Sequence, residues 1–492
     1  MLRKILIIFL VSAIFLSLLP ACKDTETQAL VPGTPKEGPN EAKDESEPEF
    51  PEADFGGADF TIFSRDREAA VYRPRYIYSE GLDGEMLNDE AYMRNMAVEE
   101  KYNVRIKLIE HMEPHTVLKR EIMAGGNDIE LILDQGNALF SLMGDGVYYN
   151  LYNLNHVNID RPYWDPNSIK GYEIADKSFL FNNDVSIAYF TAVRFIYFNS
   201  KMVRDYGLED PYQLIDKNEW TIDKFIELTK SVSTDLGGAG TSAVNEYVFG
   251  MFTENGLGNG THVHLGTGCG IKLAQKEADG SIIPALKNEK TVAFLDKCRD
   301  ILLNPLYARD QIEISAGADM SGFNNAWDYG RSLFSSGHFL FTQSSSAVAV
   351  QFESMDEFGI APNPKWDSKQ EEYAHKTDLY GLAFAIPVNV KNPDKLGMIL
   401  DYWAYVSSKT VFPAYYEIFL KIRKMRDENA LSVLDIVKRT IVYDIGEILS
   451  ASLQTAYYNG YHNGNFVSEY EKYEPKITQE LNKLYEYLSN LD

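Results

Sequence analysis

Asp59-Phe-Thr-Ile-Phe-Ser64 alternates apolar and polar residues for most of its length, and together with the next seventy residues it decides the fold class. A period of two is the signature of a half-buried strand. Asn88 then offers a helix cap with Asp89 and Glu90 behind it, where carboxylates suit the helix dipole, and the helical pattern runs to Tyr102. Val104, Ile106 and Leu108 restore the period of two. A second helix is expected over about Thr116 to Ala124, ended by Gly125-Gly126, and Ile129 to Leu133 is an apolar run broken only by Glu130 and closed by Asp134. Strand, helix, strand, helix, strand predicts an α/β unit with a mainly parallel sheet. Ligands of such sheets sit beyond the carboxyl ends of the strands, which places Asp134, Gln135 and Asn137 where a ligand would be met.

Working outward, Phe195 to Phe198 reads as a buried strand, and Thr221 caps a helix that carries Phe225, Ile226 and Leu228. Further strands are expected at His338 to Thr342, Phe358 to Ala361 and Leu382 to Ile386, and helices at Asp394 to Val406 and Thr478 to Leu488. The body is too long for one simple sheet, so two α/β lobes are expected. No internal repeat is visible.

The N-terminus has its own pattern. Arg3 and Lys4 precede an uncharged, mostly apolar run from Ile5 to Leu19, then Leu19-Pro20-Ala21-Cys22. A basic start, a short apolar segment and small residues before a cleavage point read as a secretory signal over 1–21. The run is short for a spanning helix, which takes about 20 apolar residues. Leu-Pro-Ala-Cys resembles the bacterial lipobox, which implies acylation of Cys22 and a lipid anchor. An acylated cysteine holds a body at a membrane without any spanning helix. From Lys23 to Asp54, prolines at 32, 35, 39, 48 and 51 stand among acidic and small residues, a composition that cannot bury enough apolar surface to order itself. Residues 22–54 are therefore expected to form a lipidated acidic tether.

The chain carries 72 acidic against 47 basic side chains, a formal charge of −25. That field repels phosphate backbones and argues against nucleic acid as a partner. Besides Cys22 only Cys269 and Cys298 remain, so at most one bridge is possible and no disulfide framework builds the fold.

Tyr197-Phe-Asn199-Ser-Lys201, followed by Gly207-Leu208, Pro211 and Trp220-Thr221, resembles a motif series of the extracellular solute-binding proteins of bacterial ABC importers, in the carbohydrate-binding group that includes maltose-binding protein. Phe334-Ser-Ser-Gly337-His-Phe-Leu-Phe341, Phe358-Gly359-Ile-Ala-Pro362-Asn-Pro364 and Tyr380-Gly381 through Ile386-Pro387 with Asn392-Pro393 are similar to its later segments. Gly84-Glu-Met-Leu-Asn88, Arg94-Asn95, Pro162-Tyr-Trp164-Asp165, Asp210-Pro211-Tyr212 and Tyr443-Asp444 look closest to lipoproteins of Gram-positive bacteria. The resemblance runs from about Phe55 to the C-terminus. It implies a two-lobed periplasmic-binding-protein-like fold (type II) with a ligand cleft between lobes, residues 55–190 plus 380–440 forming one lobe and 191–379 plus 441–492 the other. It implies binding and delivery of a mono- or oligosaccharide to ABC permease subunits by a monomer held at the outer face of the cytoplasmic membrane, with no cofactor, no metal and no catalysis.

Sugars present hydroxyls that need directional partners and C–H faces that pack on aromatic rings. Asp134, Gln135 and Asn137 are the first candidates on that ground, or else a capped, solvated turn. Asn183 and Asp184 stand just before the segment resembling the first crossover between lobes, with Tyr189 inside it. Thr253, Glu254 and Asn255 precede Gly256, Gly258 and Gly260 where the resemblance implies polar ligand contacts, or else a surface loop. Tyr380 and Tyr443-Asp444 lie where the other crossovers are expected. Trp164 and Trp327 are stacking candidates, or structural residues. Maltodextrin-binding relatives carry a tryptophan after the strand matching Phe339 to Thr342; here Gln343-Ser-Ser-Ser346 stands in its place, so Ser345 and its neighbours offer hydroxyls instead. Asp134 and Asp444 are expected to supply opposite walls of the cleft.

Enzymatic readings find little support. No Gly-x-Ser-x-Gly, His-Glu-x-x-His or Gly-Lys-Ser/Thr occurs. Pro114 separates His111 from His115, and Gly266-x-Gly268-x-Gly270 reads as a turn rather than a dinucleotide loop. The alternatives kept are a surface glycoside hydrolase using two carboxylates and a lipoprotein that reports ligand occupancy to a membrane kinase.

Overall fold

A computed structural model describes residues 48–490, save 69–71, 73, 236–246, 317, 356, 379 and 423–427. Cys22, the signal segment and most of the acidic tether lie outside the described residues. Phe50–Asp492 forms one unit, and of Met1–Glu49 only Pro48 and Glu49 are described. Among the described residues no helix is long and apolar enough to cross a membrane.

Two sheets organise the body. The first contains β1 (Ala58–Arg65), β2 (Val104–His111), β3 (Leu131–Gln135), β4 (Leu180–Phe181) and β13 (Leu382–Ala385) in the order β2-β1-β3-β13-β4. β1 runs parallel to both β2 and β3, with Ala58 opposite Val104 and Ile62 opposite Leu131, as the strand and helix alternation predicts. β13 closes on β3 antiparallel, so a late segment of the chain returns to the first sheet. The helix Met86–Tyr102 begins two residues before the expected Asn88 cap, because the Glu85 side chain accepts the Asn88 N–H. Phe60, Ile62, Leu131 and Leu133 on one face pack with Val98 and Tyr102 of that helix and with Leu396, Ile399 and Trp403 of the helix Pro393–Lys409. Both faces of the sheet are covered, which is why its central strands read as near-continuous apolar runs.

The second sheet holds β5 (Arg194–Asn199), β7 (Tyr247–Thr253), β10 (Ala308–Asp310), β11 (Phe339–Ser345) and β12 (Phe358–Ala361) in the order β10-β7-β11-β5-β12, and β6 (Thr234–Asp235) pairs with β7. A separate hairpin joins β8 (Ala274–Lys276) to β9 (Ile282–Pro284). Phe195 and Tyr197 of β5 pack with Phe249, Phe339 and Phe358, and also with Phe412, Phe419, Val433 and Leu434 of the helices Val411–Ile422 and Glu428–Arg439. Trp220 is fully buried and donates its indole N–H to the Pro362 carbonyl at 2.7 Å, which gives the Trp220-Thr221 motif a structural role. Gly266 and Gly268 lie in the helix Thr261–Gly268, and of the glycine series only Gly270, at φ 74°, falls in the turn its spacing suggests. Cys269 and Cys298 are both free and buried.

Three crossover segments connect the sheets and lie side by side. The Asp378 N–H donates to the Ala192 carbonyl at 2.9 Å, and on the other side the Val442 N–H donates to the His375 carbonyl at 2.7 Å. The middle crossover is thus bonded to both its neighbours, at the point where the chain passes between sheets.

Candidate ligand-binding cleft

The crossovers form the wall of two adjoining cavities that share Val442, Tyr443, Asp444 and Glu447. The smaller, about 260 Å³, takes Gly136, Asn137 and Ser141 from the end of β3 and the helix after it, Thr377 and Asp378 from the middle crossover, and Gln454 from the helix Ala451–Asn463. The larger, about 570 Å³, takes Asn167 and Lys170 from the helix Pro166–Tyr172, Thr267 from the helix Thr261–Gly268, Lys272 and Lys276 around β8, and Tyr457. Residues of both sheet units therefore face one space. A Cβ on Gly171 would stand 2.5 Å from the Tyr443 Cβ, so glycine is what lets the first unit approach the crossover this closely.

Local chemistry fixes this wall. Asp444 caps the helix Ile445–Leu449 through the Gly446 N–H at 2.9 Å and also accepts the N–H groups of Leu273 at 2.6 Å and Ala274 at 3.2 Å. The Tyr443 hydroxyl donates to Asp165 at 2.6 Å. Burial raises the Asp165 carboxyl to about 6 against the lowering effect of the Tyr443 bond and the Ser168 and Asn167 N–H groups. Glu447 is pushed up to about 7 by burial, opposed by its ion pair with Lys376, whose ammonium also donates to the Gly258 carbonyl at 2.8 Å.

Behind the smaller cavity lies a buried ionic cluster. Arg194 pairs with Glu254 and, at 2.7 Å, with Asp378; Arg331 holds the other oxygen of Glu254 at 2.9 Å, and Asn259 donates to Asp378 at 2.8 Å. Burial works to raise the Asp378 carboxyl, but the charge of Arg194 and the Tyr380 N–H outweigh it and hold the group below its ordinary value. Such a network is held in place by mutual need, since removing one member strands the others in a low dielectric.

The structure brings together Asn137, Tyr443 and Asp444 at the smaller cavity, and links Glu254 to Asp378 and Tyr380 through Arg194. Asp134 is fully buried, its oxygens taken by Arg65 at 3.1 Å and by His115 at 2.7 Å, and Gln135 turns its N–H back onto that carboxylate. Asp134 and Asp444, expected to reach a ligand from opposite walls, have both committed their oxygens to protein donors. Asp184 accepts from the Tyr189 hydroxyl at 3.1 Å and pairs with Lys438, Asn183 is buried beside Trp164, and none of these lines either cavity. The Asn255 amide donates to Asp310, and its buried oxygen has no partner. Ser345 is buried at the end of β11, its carbonyl accepting the Tyr197 hydroxyl, while Ser346 meets Tyr415. Trp164 is a core residue that donates to Asp401 at 2.7 Å. Trp327 and Tyr380 are 40% and 46% exposed and line neither cavity. The cavity residues Tyr172, Lys170, Lys272, Lys376, Glu447 and Tyr457 escape a sequence reading, because no motif marks them. Among the described residues no group of three or more His, Cys, Asp or Glu side chains is placed to hold a metal.

No family model matches this chain, and no curated protein does so by sequence. Solved structures do. The galacto-N-biose/lacto-N-biose I-binding protein of an ABC transporter from Bifidobacterium longum, solved with lacto-N-biose, aligns with a TM-score of 0.56 at 11% identity over 88% of this chain and 98% of its own. The GacH receptor of Streptomyces glaucescens, solved unliganded and with acarbose, gives 0.52 at 11% identity over 89% and 100%. Unliganded RafE from Streptococcus pneumoniae gives 0.50 at 16% identity over 88% and 98%. The chain has the two-lobed α/β fold of the sugar-binding solute receptors of ABC transporters, the fold its sequence motifs imply.

Proposed function

We propose that this protein is a carbohydrate receptor that captures its ligand between two lobes and delivers it to an ABC permease. The observation that carries the reading is the placement of the two adjoining cavities, walled by the crossovers and lined from both sheet units. A solute held there touches both lobes, and only a ligand with different affinity for open and closed arrangements shifts their balance. The lobes are assigned to the two sheets, 55–190 plus 380–440 to the first and 191–379 plus 441–492 to the second, with the correction that the helices Val411–Ile422 and Glu428–Arg439 pack on β5 of the second sheet. Asn137, the crossover backbone and the amide oxygens of Asn167 and Gln454 are the groups that would meet sugar hydroxyls, the Tyr443 hydroxyl being already given to Asp165. The receptor is anchored at the outer face of the cytoplasmic membrane by lipid on Cys22 and acts without a cofactor or a catalytic step.

A melting screen of the purified protein against neutral and acidic mono- and oligosaccharides tests the reading. A ligand that binds only the native state adds RT ln(1 + [L]/Kd), about 2.7 kcal/mol at a concentration of 100 Kd. A raised melting midpoint with unchanged sugar is expected; sustained release of reducing sugar would make the protein a hydrolase instead. For the anchor, Cys22→Ser is expected to abolish lipid labelling, and labelling that persists would refute it.

A further inference from the structure

The two cavities differ in charge in a way that bears on the ligand. The larger one is lined by Lys170, Lys272, Lys276 and Lys376 against Asp444 and Glu447, in a chain whose acidic side chains outnumber the basic ones 72 to 47. The carboxylates there are already committed, Asp444 to the N–H groups of Leu273, Ala274 and Gly446, and Glu447 to Lys376. The lysines are less so. Lys276 donates to the Lys170 carbonyl and stands 3.9 Å from Glu173, while the exposed side chains of Lys170 and Lys272 meet no acidic partner among the described residues. Local positive charge that no protein carboxylate consumes, on the wall of a concave site in an otherwise repelling field, favours an anion.

The neighbouring cavity supplies the contrast. The smaller cavity holds no lysine and offers Asn137, Ser141, Thr377 and Gln454, groups suited to neutral hydroxyls.

Building on the proposed saccharide receptor, we propose that the ligand is an acidic saccharide whose carboxylate or sulfate group enters the larger cavity beside Lys170 and Lys272, with neutral hydroxyls of the same chain reaching the smaller one. Amines on flexible stems receive a charged ring substituent without demanding one fixed geometry. Solvated rim lysines would give no such preference, and that is the alternative the test removes.

The test is calorimetric titration of the full detergent-solubilised chain with trigalacturonate, with the same oligosaccharide after carboxyl reduction, and with a sulfated galactan oligosaccharide, at low and at high salt. One acidic form is expected to bind about tenfold or more tighter than the neutral form, with the preference shrinking as salt screens it. Preference for the carboxylated probe identifies a uronate, and preference for the sulfated probe a sulfate ester. The double variant Lys170→Gln/Lys272→Gln is expected to lose most of that preference while its ligand-free melting midpoint stays at the wild-type value, and Lys483→Gln, outside the cavity, is expected to keep it. Equal or tighter binding of the neutral form, or an unchanged preference in the double variant, overturns the inference and leaves a neutral-sugar receptor standing. Absence of binding by any saccharide, neutral or acidic, overturns the receptor reading along with it.

Discussion

The carboxyl ends of the two sheets are finished differently. At the end of β3 one buried carboxylate, Asp134, is closed off by Arg65 and His115, both from neighbouring segments of the same sheet unit. At the end of β7 the carboxylate of Glu254 belongs to a network that runs through Arg194 to Asp378 in the middle crossover, with Arg331 on its far side. Buried polar atoms without partners also gather in the second unit, at His264, Thr342, Gln343, Asn255 and Tyr457. The first unit has fewer such atoms, at Arg65, Tyr102 and Asn183, and its strand-end carboxylate is neutralised locally, whereas the second unit ties its own to the crossover through a shared buried cation.

Arg194→Leu should cost the most stability and tests that asymmetry. It leaves Glu254 and Asp378 buried without their shared cation, and a broken buried pair costs about 3–5 kcal/mol. The urea midpoint should fall accordingly, and further than for Asp134→Asn, which keeps the shape of the first-unit carboxylate and strands only a half-buried arginine and histidine. Equal losses in the two variants would erase the difference between the units.

Acidification comes next. An unfolded histidine takes its proton near 6.5, whereas burial holds His262 and His375 neutral down to about 3 and His264 well below its ordinary value. Between those pH values the unfolded chain binds more protons, so the stability that is whole above about pH 6.5 drains away as pH falls towards 3. Glu447 opposes this, because its raised carboxyl keeps a proton in the folded state and its contribution declines as pH climbs from 4.5 to about 7. The three histidines lie in the second unit and its crossover, so hydrogen exchange at pH 5 should open β5, β7 and β11 before β1 and β3. Earlier opening of β1 would contradict this.

A smaller loss is expected for Asp444→Ala, which uncaps one helix and leaves the Leu273 and Ala274 N–H groups unpaired, at about 1–3 kcal/mol by thermal melting. The smallest is Trp327→Ala, an exposed side chain whose removal should change stability by less than about 0.5 kcal/mol. A fall in saccharide affinity in that variant would move the cleft towards the helix Ala326–Ser335.

The same contrast explains which features are legible in the sequence. β1, β2 and β3 are readable because period-two alternation and short connections are local signals, and Pro393–Lys409 because Asn392 and Pro393 mark its start. Sheet order, with β13 returning beside β3, is carried by motif resemblance rather than by periodicity. The cavity lining is legible only where it coincides with a crossover, at Tyr443 and Asp444, or with a strand end, at Asn137. Lys170 and Lys272 sit on segments far apart in the chain, and nothing local in either says that the fold will place them on one cavity. Trp164 shows the converse: the sequence leaves it open between a stacking and a structural residue, and its indole is used to satisfy Asp401 inside the core.

If one saccharide touches both lobes at the crossovers, its binding must slow hydrogen exchange on both sides of the cleft at once. The measurement is hydrogen exchange of the full chain, with and without a saturating saccharide from the melting screen. Simultaneous protection is expected at residues 136–141 in the first unit, 263–276 in the second and 442–447 between them. Protection confined to one sheet unit, or lying wholly outside these segments, would contradict capture between the lobes.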